Sequence, residues 1–228
     1  MAKAPVFPLP KRHSSASICA MGKYFRVLCA LAIMIQATVL AGPVDKTVSV
    51  VTPPYEPFEH WELDVESGAI WKWGSDATPL NYTVLPQMIT IKTPASVHLG
   101  KIGGGDLVIR NRFSLLLEPI VVGPESFYFG FSASGILEWW NASRHFSLFF
   151  AAGGGLGWMD SKGYEIEGAQ GQDLNFNWFL YPGMRYRFDN NMSVALGAYF
   201  QHVSNTGLND VNPGLNAIGP MLSVGWHF

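Results

Sequence analysis

From residue 61 to residue 228 the chain alternates between apolar side chains and polar or charged ones, and both signs of charge fall on the same parity. A period of two is strand geometry, because successive side chains on a strand point to opposite faces. Trp61, Leu63, Val65, Ala69, Trp71 and Trp73 share one parity, while Glu62, Asp64, Glu66 and Lys72 share the other. Leu107, Ile109, Phe113, Leu115 and Leu117 oppose Arg110, Arg112 and Glu118. Phe127, Phe129, Phe131, Leu137 and Trp139 oppose Ser132, Ser134 and Glu138. Phe176, Trp178, Leu180, Met184, Tyr186 and Phe188 oppose Asn175, Asn177, Arg185 and Arg187.

One face of the sheet is therefore lipid-like and the other carries charge. A soluble barrel or lipocalin-like binder would place the apolar face inside, and the charged parity argues against it. Buried charges persist only when paired and hydrogen-bonded. Arg110, Arg112, Arg185 and Arg187 are expected to pair with Glu62, Asp64, Glu66, Glu118 and Glu138 inside a narrow lumen. Candidate strands run over 61–74, 81–91, 106–119, 126–140, 144–159, 174–188, 191–205 and 215–228. The expected fold is all-β, an eight-stranded antiparallel transmembrane β-barrel. Eight strands leave an interior just wide enough for side chains, hence a filled barrel and no pore. The last strand ends on Phe228 behind Trp226, Val224 and Leu222, as the closing strand of an outer-membrane barrel does.

The N-terminus carries an export signal by its layout. Lys23 and Arg26 precede an apolar core, Val27 to Leu40, and Val39-Leu40-Ala41 resembles a small-residue cleavage site. Residues 1–41 are thus expected to be a signal peptide, with Met21 as an alternative start. Residues 42–60 read as a flexible Pro-rich lead-in and 61–228 as the barrel. Both cysteines, Cys19 and Cys29, precede the cut, so thiolate chemistry and disulfides are excluded from the mature chain. The net charge of −2 implies no polyanion, and nucleic acid is not an expected partner.

Connection lengths orient the barrel. Asn141-Ala142-Ser143 and Asp189-Asn190-Asn191 are short, whereas 160–173 and 206–214 are long. Short turns face the periplasm and long loops face outside. Trp61, Trp71, Trp73, Trp139, Trp158, Trp178 and Trp226 lie near strand ends, as membrane-interface residues do. Two features fit poorly. Pro86 interrupts the second strand, which should be kinked, and 92–105 is long for a periplasmic turn.

Chemistry concentrates near the C-terminus. Met192, Val194, Leu196, Ala198, Phe200, His202 and Ser204 share the apolar parity of the seventh strand. Asn216, Ile218, Leu222, Val224, Trp226 and Phe228 share that of the eighth. His202, Ser204 and Asn216 can therefore meet on the outer wall, at the end of the barrel that bears the long loops. A serine with an adjacent imidazole can attack an ester, with a third group orienting the ring. The spacing His-x-Ser also arises by chance, and a polar strand end meeting headgroups would show the same letters.

The string His202-Val203-Ser204-Asn205-Thr206-Gly207, followed by Asn212-Pro213-Gly214, resembles the lipid A 3-O-deacylase (PagL-like) family. The likeness is most specific over the C-terminal third. It implies an eight-stranded outer-membrane barrel of a Gram-negative bacterium, acting as a carboxylic ester hydrolase without cofactor. The implied substrate is lipid A of lipopolysaccharide in the outer leaflet, from which the 3-position acyl chain is removed. The resemblance makes His202 the base and Ser204 the nucleophile. Asn205 and Asn212 fall near the oxyanion site, and Gly207 and Gly214 permit tight turns there. The family's orienting Glu is replaced by Asn216, with Asp210 as an alternative acid. A homodimer is compatible with the resemblance.

A non-catalytic outer-membrane barrel of the structural or adhesion type is the competing expectation. No metal is expected: His13, His60, His98, His145 and His227 lack ligand spacing and read as loop or interface residues. Gly103-Gly104-Gly105 and Gly153-Gly154-Gly155 precede no Lys-Ser/Thr helix start and are not phosphate loops.

Overall fold

The computed structural model describes residues 55–74 and 79–228. The expected signal peptide, both cysteines and most of the 42–60 lead-in lie outside the described residues. The strands are β1 (Glu62–Gly68), β2 (Ile70–Lys72), β3 (Thr83–Val84), β4 (Gln87–Lys92), β5 (Val97–Ile102), β6 (Gly105–Val122), β7 (Phe127–Trp140), β8 (Phe146–Met159), β9 (Leu174–Arg187), β10 (Met192–Ser204) and β11 (Leu215–His227). All pairings are antiparallel, and β1 on β11 closes the sheet.

The eleven strands make eight staves. β1 and β2 share one, broken at Ala69. β3, β4 and β5 share the next, lying in succession along β6. The break between β3 and β4 falls at Leu85-Pro86, where proline has no N–H for the ladder. Pro86 still accepts from Gly68 N at 3.0 Å, and Leu85 N donates to Pro119 O at 2.9 Å.

The 92–105 stretch proves to be mostly strand rather than turn. β5 continues the line of β4 along β6, and the reversal is confined to Gly103 and Gly104, with φ of 59° and 78°. Two successive positive-φ residues make the tight hairpin turn that matches strand twist, and glycine adopts it without steric cost. Trp139 Nε1 donates to Ile102 O at 2.9 Å and fastens the hairpin. At the same end, Asp189-Asn190-Asn191 joins β9 to β10 with Asn191 at φ 63°.

The outer surface is apolar. Phe127, Phe129, Phe131, Leu148, Phe150, Leu156, Leu180, Met184, Leu196 and Leu222 all stand exposed on it. The lumen is filled and divides into two halves. The half near the short turns is a charged lattice. Arg110 Nη1 donates to Glu62 at 2.8 Å and Glu138 at 3.4 Å; Arg112 Nη2 donates to Glu66 at 2.7 Å. Arg185 pairs with Glu138 at 2.7 Å and Glu62 at 3.4 Å. Lys92, which the alternation did not single out, reaches Asp64 at 2.8 Å and Glu62 at 3.4 Å.

Two expected partners behave differently. Arg187 donates to the Arg144 and Phe188 carbonyls, at 3.0 and 2.9 Å, because it sits at the mouth beside the chain turns. Glu118 lies further along β6, forms no ion pair among the described residues, and accepts instead from Gln201 Nε2 at 3.1 and 3.0 Å. His227, expected on a loop or at an interface, is buried beside Glu62 at 3.6 Å.

Residues 55–60, the described end of the lead-in, pack across the mouth near the short turns. A 3₁₀ turn, Pro57–Glu59, buries Phe58 against Trp140 and His98, with ring centroids 6.4 and 5.8 Å away. Ala95 N donates to Phe58 O at 2.7 Å. Arg144 binds both Glu56 and Asp106.

At the opposite rim the loops are knitted together. Glu125 accepts from Tyr82 Oη at 2.8 Å and Gln170 N at 2.7 Å. Asn209 Nδ2 donates to Tyr164 Oη at 2.8 Å. Partial burial of Asp160 would raise its pKa. Bonds from Ser126 N and Phe127 N, at 2.7 and 3.2 Å, outweigh this and hold the carboxyl below the usual range.

Candidate active site

β10 and β11 form a hairpin whose outward residues are those of the apolar parity. His202 and Asn216 stand directly opposite each other in its ladder. Asn216 O accepts from Trp73 N at 2.8 Å, so the Asn216 backbone faces β2 and not β10. The His202–Asn216 pair is therefore a non-hydrogen-bonded one, the kind in which facing side chains lie closest. The side chains meet: His202 Nδ1 donates to Asn216 Oδ1 at 2.6 Å. That bond selects the tautomer with the proton on Nδ1 and the lone pair on Nε2, which then points away from Asn216.

On the other side of the imidazole lies Trp178 of β9, its cross-strand neighbour. The ring centroids are 5.7 Å apart with 32° between planes. One step down the wall, Phe200 is held between Trp178 at 5.0 Å and Trp73 at 5.3 Å. The imidazole is thus fixed by an amide on one flank and an indole on the other. Trp73 and Trp178 read from sequence as interface residues; their contact with Phe200 and His202 needs strand register, which alternation does not supply.

Ser204 is the last residue of β10, two beyond His202 and on the same face, and both are half-buried. Among the described residues no hydrogen bond joins its hydroxyl to the imidazole. Such bonds often close only when substrate is present, and rotation about one side-chain bond moves the hydroxyl between staggered positions.

The loop after Ser204 is built around Asn205, which is fully buried. Its Nδ2 donates to Val211 O at 2.9 Å, and its Oδ1 accepts from Gly207 N at 2.9 Å. Its own N–H donates to Asn212 Oδ1 at 3.0 Å. Thr206, Gly207 and Gly214 take left-handed backbone, with φ of 56°, 84° and 74°. Glycine adopts this freely, whereas Thr206 is held there by the surrounding bonds, its Oγ1 donating to Asn205 O at 2.7 Å.

The four loop residues therefore divide in role. Asn205, with Gly207 and Gly214, sets the loop's path. Asn212 supplies its oxygen to that frame, and among the described residues its Nδ2 has no protein acceptor. Asp210 is exposed, and the imidazole Nδ1 is held by Asn216 instead.

The wall thus presents an oriented imidazole, a hydroxyl two residues away and amide donors in one tight loop, all at the rim bearing the longer connections. Comparison with curated protein sequences yields no match. Among solved structures, the outer membrane enzyme PagL is similar, with a TM-score of 0.47 and 17% identity over 72% of this chain and 98% of that one. The model of the family lipid A 3-O-deacylase (PagL) matches residues 60–225. That span takes in both staves broken at Ala69 and Pro86, the filled lumen and the hairpin carrying His202, Ser204 and Asn216, so the chain belongs to the lipid A 3-O-deacylase (PagL) family.

Proposed function

We propose that this protein is an outer-membrane esterase that removes the ester-linked 3-position acyl chain from lipid A, with Ser204 as nucleophile. The apolar outer wall suits a bilayer, and the short turns at the Phe58-covered mouth support a periplasmic position for that end. The hairpin loop then lies at the outer leaflet, level with the lipid A headgroup. Residues 1–41 serve as the export signal.

Ser204 Oγ attacks the ester carbonyl while its proton passes to His202 Nε2. Asn212 Nδ2 donates to the developing oxyanion, where one such donor is worth about 10²–10³ in kcat. The tetrahedral intermediate collapses, the carbonyl–alkoxy bond breaks, and His202 returns the proton to the departing sugar hydroxyl. Water, deprotonated by the same imidazole, hydrolyses the acyl-serine and releases a fatty acid. Asn216 holds the ring throughout.

The observation that carries this reading is the 2.6 Å His202–Asn216 bond on the lipid-facing side of a strand that ends in a serine. Refolded protein incubated with lipopolysaccharide in detergent micelles, followed by mass spectrometry of lipid A, provides the test. We expect loss of one acyl chain and release of a 3-hydroxy fatty acid, with kcat reduced by at least about 10³-fold in Ser204→Ala and His202→Ala. Undiminished release by Ser204→Ala would remove the serine mechanism. No release by the folded wild type would favour a non-catalytic barrel.

A further inference from the structure

The lumen directly behind the site holds a contact that the ester chemistry leaves unused. Glu118 on β6 and Gln201 on β10 stand on opposite walls, with three staves between them in each direction. Gln201 Nε2 donates to both Glu118 carboxyl oxygens, at 3.1 and 3.0 Å. Both side chains are buried. Glu62, Asp64, Glu66 and Glu138 each have a cation beside them, but among the described residues Glu118 has none. A buried carboxyl without a cationic partner is costly, and here its hydrogen bonds come from one amide. That amide belongs to the residue immediately before His202.

The wall around His202 is weakened at one level. Outward residues of β9 turn their backbone toward β10, as Phe188 N donating to Met192 O at 2.8 Å shows. Pro182 is an outward residue and has no N–H to donate. The β9–β10 ladder lapses there, running to Gly197 opposite Gly183 and resuming only at Phe200 opposite Leu180. On the other flank Pro220 of β11 faces Ala69, where β1 gives way to β2. The ladder thins again between Met221 opposite Gly68 and Ile218 opposite Trp71, where Ala69 N donates to Pro220 O at 3.3 Å and Pro220 has no N–H to return the bond. The β10–β11 pairing itself is unbroken through Tyr199–Gly219, Gln201–Ala217 and Val203–Leu215. At the level of Ala198 the hairpin carrying His202 and Ser204 thus lacks a proline N–H toward each neighbour, with the long Ala69–Pro220 bond on the β11 side, while remaining intact within itself.

We infer that Glu118 is a positioning residue: by holding Gln201 from the opposite wall, it fixes the hairpin that carries His202 and Ser204 above this proline-weakened level. The inference rests on the esterase reading. Gln201 and His202 are adjacent peptide units pointing in opposite directions, so a shift of one carries the other. Reaction geometry is sensitive on the scale of an ångström.

The test measures kcat and KM on lipopolysaccharide micelles for the full chain, alongside the urea midpoint of unfolding. The wild type must first release fatty acid and Ser204→Ala must not; failure there defeats the esterase reading, and the remaining variants bear on Glu118 alone. Glu118→Ala and Gln201→Ala are expected to lower kcat about tenfold, equivalent to roughly 1.4 kcal/mol, with KM changed less than twofold. Glu118→Gln keeps an acceptor for the Gln201 amide and is expected to restore most of kcat. Adding Pro182→Ala to Glu118→Ala returns a ladder donor beside Ala198 and should recover part of the lost rate, a non-additivity that a merely destabilised barrel would not show. If Glu118→Ala does not refold, Gln201→Ala and its combination with Pro182→Ala carry the same comparison. Wild-type kcat in the Glu118→Ala or Gln201→Ala protein overturns the inference. So does a loss that is equal in Glu118→Ala and Glu118→Gln and indifferent to Pro182→Ala.

Discussion

Asn216 Oδ1 lies 2.6 Å from His202 Nδ1, across a non-hydrogen-bonded pair of the β10–β11 ladder. An amide oxygen at that point fixes the tautomer but, in the proposed mechanism, would bring no negative charge to the imidazolium formed on deprotonation of Ser204. Orientation and charge stabilisation, usually combined in one carboxylate, are here separated.

That separation can be measured. Asn216→Ala removes orientation and is expected to lower kcat by about tenfold or more, the worth of one well-placed hydrogen bond. Asn216→Glu retains an acceptor, adds charge and should keep or raise kcat. A hundredfold loss on the change to Glu would show that Asn216 is not the orienting group.

In the proposed mechanism the Asn205–Asn212 loop separates scaffolding from catalysis. Asn212→Asp keeps an oxygen that accepts from Asn205 N, replaces the Nδ2 donor with a second oxygen and adds a negative charge that opposes an oxyanion. Its kcat should fall by about 10²-fold with the loop's resistance to proteolysis unchanged. Asn205→Ala deletes the bonds to Val211 and Gly207 and should lower protease resistance and kcat together. Wild-type kcat in Asn212→Asp would remove the amide from the oxyanion site.

Much of this arrangement is legible in the alternation. Parity assigns the outer and inner faces and puts His202, Ser204 and Asn216 on the same outer wall, and the proline itself marks the break at Pro86. What it lacks is register and depth. Glu118 shares parity with Arg112 on one strand, yet six residues of rise separate it from the arginine lattice, and it binds Gln201 instead. Lys92 ends β4 and enters the lattice, but it is the first residue of the 92–105 stretch, whose strand character is hidden by its glycines. Trp73 reaches Phe200 because β2 keeps the register of β1 against β11, which brings the end of the first stave beside the hairpin, and pairing of distant strands is something composition does not announce.

The lattice around Glu62 should govern stability and leave turnover almost untouched. Glu62 lies beside Arg110, Arg185, Lys92 and His227. Removing one partner of a buried ion pair costs about 3–5 kcal/mol, because the other charges stay desolvated. Glu62→Gln should therefore lower the urea midpoint sharply, while kcat per folded molecule changes less than about twofold. An equal loss of kcat in the folded fraction would tie the lattice to the chemistry and contradict the division of the lumen into two halves.

The covered mouth gives the complementary prediction. Phe58 is 4% exposed, packed against Trp140 and His98, and its carbonyl accepts from Ala95 N at 2.7 Å. Truncation to alanine should cost about 3 kcal/mol or more of packing. Pro57 is the turn's other buried apolar residue and far smaller than the Phe58 ring, so the loss should appear locally, as protease cleavage within residues 55–60 before the barrel unfolds. Mass spectrometry of limited-digestion fragments locates the cut, and kcat should hold because His202 lies at the far rim. A Phe58→Ala protein as resistant as the wild type would mean that Arg144, through Glu56, holds this segment without the ring.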